Sequence, residues 1–150
     1  FKKDKEENIS KNTKVIQQLP KVEGDSAKRT ILLAEDNDVN QLLVQTLLSQ
    51  WNYEVEVAEN GRLALEMLKK KNYALILMDV HMPELDGYET TRIIRKDFDA
   101  PKKNIPIVAM TASALKGESE KCISAGMDDY ISKPFDKNIL YEKMARLITP

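Results

Sequence analysis

The scarcest residues set the first limits. A lone cysteine, Cys122, cannot close an internal disulfide, which suits a reducing cytosol rather than a disulfide framework. No apolar run approaches the ~20 residues that span a bilayer, and no charged-then-apolar leader marks a secretory signal. Neither sign of charge is in excess: 23 Lys and Arg against 24 Asp and Glu leave a net charge of −1, so nothing draws the whole chain to nucleic acid or an anionic membrane. The expected compartment is cytoplasmic, whether or not a longer parent chain is membrane-anchored. There is no internal repeat and no low-complexity tract. Met67, Met78, Met82, Met110, Met127 and Met144 are scattered rather than striped, which argues against a metal or cofactor box.

What remains is a chain of 150 residues, 42% hydrophobic and 31% charged, a size and mix that suit one domain with an appendage. Residues 1–28 are rich in Lys, Glu, Asn and Ser, and read as a solvated linker or N-terminal extension; the alternative is a segment packed on its own domain or on a neighbouring chain as a short helix through residues 8–19. From Arg29 onward, short apolar runs alternate with amphipathic stretches, as βαβ units do. Residues 29–150 therefore read as one domain. The runs predict strands over Thr30–Ala34, Glu54–Ala58, Ala74–Met78, Ile105–Met110 and Tyr130–Ser132. The second alternates strictly, as an edge strand does, whereas the first, third and fourth are nearly all apolar, as buried central strands are. Helical faces are predicted from Val39, Leu42, Leu43 and Leu47, from Leu63, Met67 and Leu68, and from Leu140, Met144, Leu147 and Ile148. A third helix falls at about residues 87–97, and Gly126 is expected to stop a fourth, which carries Cys122 as a packing residue. The fold class is then α/β: a doubly wound, five-stranded parallel sheet of order 2-1-3-4-5, a flavodoxin-like (βα)5 sandwich.

Each apolar run closes on a residue with chemistry. Glu35 and Asp36 follow the first strand, Asp79 the third, Thr111 the fourth and Lys133 the fifth, which places all of them at the carboxyl edge of the sheet. Three carboxylates together repel one another without a cation, and an all-oxygen set suits Mg²⁺. Asp36 and Asp79 are the expected direct ligands, and the longer Glu35 is expected to act through a bound water. Capping of the first helix falls to Asn37 or Asp38, which frees Asp36. Asp79 is the natural nucleophile toward a phosphoryl group, with Lys133 and Thr111 as donors to its oxygens.

The segments Ile31-Leu32-Leu33-Ala34-Glu35-Asp36-Asn37, Leu77-Met78-Asp79-Val80-His81-Met82-Pro83, Asp86-Gly87-Tyr88-Glu89, Val108-Ala109-Met110-Thr111-Ala112 and Tyr130-Ile131-Ser132-Lys133-Pro134-Phe135 closely resemble response-regulator receiver domains of two-component systems. With Val39-Asn40-Gln41, the wording is most similar to the receivers of hybrid sensor histidine kinases. The resemblance implies Mg²⁺-dependent transfer of a phosphoryl group from a phosphohistidine onto Asp79, followed by hydrolysis. It also implies that the His81 backbone carbonyl completes the metal ligands, that Thr111 and Tyr130 form the switch, that His81 and Ser113 modulate phosphate lifetime, and that Lys133-Pro134 is cis. The implied partners are a helical kinase dimerisation domain bearing the phosphohistidine, a histidine phosphotransfer domain, or both. Homodimerisation stays open, and neither nucleic acid nor membrane contact is expected of this segment, which ends just after the fifth helix.

Two other classes compete. A haloacid-dehalogenase-like Mg²⁺-dependent phosphohydrolase also uses a strand-end Asp, but its motif has a second Asp where His81 stands. A flavodoxin-like FMN module needs a hydroxyl- and Gly-rich loop where Glu35-Asp36-Asn37-Asp38 would repel phosphate. The output expected of a receiver is a changed surface formed by the fourth helix, fifth strand and fifth helix, because a phosphoryl group adds about −1.5 to −2 charge.

Overall fold

The computed structural model describes residues 28–112 and 116–148. The expected linker up to residue 27, with its short helix, lies outside the described residues. The elements run β1 (Thr30–Ala34), α1 (Asp38–Gln50), β2 (Glu54–Ala58), α2 (Gly61–Lys70), β3 (Leu75–Asp79), α3 (Gly87–Asp97), a single 3₁₀ turn (Lys102–Asn104), β4 (Ile107–Thr111), α4 (Lys116–Ala125), β5 (Asp129–Ser132) and α5 (Lys137–Ile148). All strand pairs are parallel, in the order β2-β1-β3-β4-β5.

Period-two alternation divides each strand between two cores. Ile31, Leu33, Leu75, Leu77, Val108, Met110 and Ile131 meet Val44 and Leu48 of α1 and Leu140 and Met144 of α5. Leu32, Ile76, Met78, Ile107 and Ala109 face the opposite side, toward Ala64 and Leu68 of α2, Ile94 of α3 and Cys122 of α4. Every residue of β3 and β4 is buried, as strands covered on both faces must be.

Local chemistry sets the helix ends. The Asn37, Asn60 and Asp86 side chains accept backbone N–H bonds from Asn40, Leu63 and Glu89, capping α1, α2 and α3. Gly126, at φ +108°, ends α4 in a backbone region that favours glycine. The Lys133-Pro134 peptide is cis, and so is Ala100-Pro101.

Several expectations need correction. β5 begins at Asp129 rather than Tyr130, because Asp129 already pairs with Val108, and β4 runs on through Thr111, which pairs with Ser132. β3 begins one residue later and includes Asp79, because that residue still pairs with Met110. β4 begins at Ile107 rather than Ile105: the Ile105 N–H closes the 3₁₀ turn onto the Lys102 carbonyl, and Pro106 has no N–H to donate. The apolar face expected on α1 is also wrong in part. Val39, Leu42 and Leu43 are exposed, at 73%, 65% and 47%, while Val44 and Leu48 are the residues that α1 buries. Four residues apart, Val44 and Leu48 form the stripe that reaches the sheet, and Leu47 is only partly covered.

Candidate active site

The strand register levels the chemistry-bearing residues. Ala34 pairs with Met78, so Glu35 and Asp79 follow side by side, and Thr111 pairs with Ser132, so Lys133 follows next to it. Backbone bonds extend the ladders past the strands: Glu35 N donates to Ala58 O at 3.0 Å, Val80 N to Met110 O at 3.1 Å and Lys133 N to Thr111 O at 2.8 Å. The backbone beneath the site is therefore continued sheet, which holds its side chains on a rigid edge.

Glu35 is fully buried, Asp79 is 6% exposed, and Asp36 is exposed at the rim. Carboxylate oxygens of these three residues all lie within 4.8 Å of one another. The Lys133 ammonium bridges two of them, at 3.3 Å from Glu35 Oε1 and 3.5 Å from Asp79 Oδ2. One positive charge does not neutralise three negative ones at this range, and burial raises the cost of the imbalance. Asp79 registers the conflict: burial, then the adjacent Glu35 charge, push its carboxyl up to about 6, against the opposing pull of Lys133 and of the His81 backbone N–H that it accepts. The all-oxygen donor set and its surplus negative charge fit a hard divalent cation.

The loop after β3 is held tightly against this edge. Gly87 N donates to Val80 O at 2.8 Å, and a Cβ on Gly87 would stand 2.4 Å from the Asp79 carbonyl oxygen. Only glycine permits that approach. His81 is exposed, and its backbone N–H donates to the Asp79 carboxylate. Thr111, the last residue of β4, is 2% exposed. Tyr130 is half-buried, with the Lys143 ammonium 5.7 Å from its ring centroid. Ser113 lies outside the described residues. The structure thus brings Glu35, Asp36, Asp79, Thr111 and Lys133 to one edge, as the strand-end pattern implied.

Sequence reasoning assigned no role to Asn40 and Gln41 in the first turn of α1. Asn40 Nδ2 donates to Glu35 Oε2 at 3.4 Å, and Gln41 Nε2 donates to the Glu35 carbonyl at 2.8 Å. The available signal was their spacing: five and six residues after Glu35, on the helix that starts beside it. Also missed was the exposed apolar group of Val39, Leu42 and Leu43 on the same helix.

Comparison with known proteins adds a family. The model for the response regulator receiver domain matches residues 31–145. The chain is 43% identical over 117 residues to hybrid signal transduction histidine kinase I of Dictyostelium discoideum, covering 75% of this chain and 7% of that protein. It spans only 5% to 16% of the length of the first curated relatives it matches. Among solved structures, the receiver domain of a Pseudomonas aeruginosa sensor histidine kinase, with a magnesium ion coordinated in its active-site cleft, is 40% identical. That structure matches with a TM-score of 0.76 over 83% of this chain and 100% of its own. A complex of a Saccharomyces cerevisiae histidine phosphotransfer signaling protein with the receiver domain of its downstream response regulator matches at 30% identity and a TM-score of 0.73, over 81% of this chain and 89% of its counterpart. These matches lend no support to the phosphohydrolase alternative.

Proposed function

The chain belongs to the response regulator receiver domain family of two-component phosphorelays, and from that premise we propose that Asp79 accepts a phosphoryl group from a phosphohistidine. The observation that carries this reading is the Lys133 ammonium 3.3 Å from Glu35 and 3.5 Å from Asp79, beside Thr111 at the same sheet edge. Nucleophile, acidic partner and both phosphoryl-oxygen donors then share one sheet edge.

In the transfer, an Asp79 carboxylate oxygen forms the new bond to phosphorus as the P–N bond of the donor breaks. The leaving imidazole nitrogen keeps that electron pair. Lys133 and Thr111 donate hydrogen bonds to the phosphoryl oxygens, offsetting the charge gathered there. Glu35, Asp36, Asp79 and the His81 carbonyl would hold Mg²⁺, Glu35 through a bound water. When bound, the cation relieves repulsion between carboxylate and phosphate and keeps Asp79 ionised. Small acyl phosphates would serve as donors by the same chemistry, and water at the same phosphorus would end the signal. His81, together with Ser113, sets how long the phosphate survives.

The partner is a phosphohistidine-bearing helical domain, from a kinase dimerisation domain or a histidine phosphotransfer protein. Val39, Leu42 and Leu43 support this: α1 starts two residues after Asp36, so its exposed apolar side chains stand beside the site that a donor histidine must enter. For output, Thr111 moves toward the phosphoryl group and Tyr130 turns further inward, which alters the α4-β5-α5 face as a population shift. We further assign residues 29–150 to the receiver domain, residues 1–28 to a linker, and the domain to the cytoplasm. Among the described residues no helix is long and apolar enough to cross a membrane.

The test is incubation with acetyl phosphate and Mg²⁺, followed by intact-mass measurement. Hydroxylamine-labile phosphate is expected on the wild-type chain and none on Asp79→Asn. Undiminished uptake by Asp79→Asn would remove the assignment.

A further inference from the structure

We propose that Asn40 is a positioning residue for the metal cluster: it holds the Glu35 carboxylate in the orientation that presents its Oε1 to the site. This rests on the Mg²⁺ assignment above and goes beyond it by naming what makes a glutamate work at this position.

A glutamate carries one more rotatable bond than an aspartate, so its carboxylate needs outside contacts to stay in one place. Here those contacts come from the first turn of α1. Glu35 Oε2 accepts the Asn37 backbone N–H at 3.1 Å and the Asn40 side-chain amide at 3.4 Å. With that oxygen committed to the helix, Oε1 is the one on the Lys133 side, 3.3 Å from the ammonium that also contacts Asp79. Gln41 fixes the other end of the residue through its bond to the Glu35 carbonyl at 2.8 Å. Asn40 is itself placed by its own backbone N–H, which donates to Asn37 Oδ1 at 2.9 Å.

The amide of Asn40 is not needed to build the helix. Asn37 is the cap, and Asn40 contributes only its backbone to that cap. Among the described residues, its side-chain amide bonds to the Glu35 carboxylate alone. Loss of the amide should therefore leave the fold intact and free the carboxylate to rotate. Groups that orient metal ligands from behind typically change affinity by about 10–100-fold when removed. The bond also depends on the length of the acid. An aspartate at position 35 would withdraw its oxygens by one methylene, and a contact already at 3.4 Å would pass out of hydrogen-bonding range.

That length dependence gives a signature that a merely structural role would not produce. Four chains are titrated with Mg²⁺ by calorimetry: wild type, Asn40→Leu, Glu35→Asp and the double variant. Asn40→Leu is expected to weaken Mg²⁺ binding about 10-fold when Glu35 is present. In the Glu35→Asp background, the same change is expected to cost less than about 2-fold, the usual limit for uncoupled sites. Urea midpoints in chelator should match between wild type and Asn40→Leu, and Asn40→Ala should reproduce the binding loss if leucine disturbs the helix. Without metal, the Asn40 side-chain amide resonances should shift on Glu35→Asp. Equal losses in both backgrounds, or no loss in either, would overturn the positioning role while leaving the metal site standing. Failure of the wild-type chain to bind Mg²⁺ would overturn the metal assignment itself, and the positioning role with it.

Discussion

At the amino end of the sheet, Arg95 donates to the carbonyls of Gly126, Lys103 and Ile105, each at 2.8 Å, and to Asp128 at 3.0 Å. Asp128 in turn accepts the Ile107 N–H at 2.8 Å. One guanidinium thus ties the loop before β4 to the turn before β5, and its charge is matched by a single carboxylate. At the carboxyl end, Lys133 is stretched between two carboxylates with a third nearby. The first arrangement satisfies its donors and charges and so stabilises. The second leaves negative charge in surplus, a cost that makes sense only where a cation and a phosphoryl group are to be received. Within one sheet, the two edges divide stability from chemistry.

That division can be broken at either end. The largest effect is expected from Arg95→Ala, which removes four hydrogen bonds at once, those to the Gly126, Lys103 and Ile105 carbonyls and to Asp128. Urea unfolding should show a loss of about 3 kcal/mol from these four bonds, with phosphate uptake per folded molecule unchanged. A large fall in uptake would mean that the two edges are not separate. Lys133→Met acts at the other edge, leaving Glu35 and Asp79 without their bridging ammonium. The metal-free protein should lose about 2 kcal/mol at neutral pH, part of it restored by Mg²⁺, and phosphorylation should slow.

Asp79→Asn should act in the opposite sense. Because the folded-state carboxyl is raised to about 6, the folded chain holds that proton more tightly than the unfolded one. The resulting stability is complete below about pH 4, the unfolded value, and is lost as pH rises through about 6. In chelator near pH 7.5, Asp79→Asn should therefore be more stable than wild type by about 1–2 kcal/mol, discounted for partial solvation. The gap should close as the pH is lowered toward 4. A less stable Asp79→Asn across that range would show that the charges at this edge are balanced after all. The smallest stability effect is expected from Leu42→Ser on exposed α1, within about 0.5 kcal/mol. Its transfer rate from a phosphohistidine donor should still fall severalfold, while uptake from acetyl phosphate holds. Equal rates from both donors would detach α1 from partner docking.

The sequence showed the sheet and its functional edge because both follow from simple periodicities. Fully apolar runs marked β3 and β4, strict alternation marked β2 at the sheet's edge, and the residue closing each run fell at the carboxyl edge by topology alone. The face of α1 could not be read in the same way. Val39, Leu42 and Leu43 satisfy a helical apolar pattern as well as Val44 and Leu48 do, and hydrophobicity does not say whether a stripe meets the sheet or another molecule. The shifted start of β4 turned on Pro106 and a 3₁₀ turn, which a run of apolar letters conceals. Asn40 stayed hidden because its spacing from Glu35 gains meaning only once α1 is seen to start beside that residue and bring the two side chains within 3.4 Å.

The most direct test of the account is to treat the chain with acetyl phosphate and Mg²⁺, reduce it with borohydride, which converts an aspartyl phosphate to homoserine, and map the product by peptide sequencing. Homoserine at position 79, dependent on Mg²⁺ and absent after chelation, is the predicted result. Phosphate recovered at Asp36 or on the His81 ring, with position 79 unmodified, would contradict it.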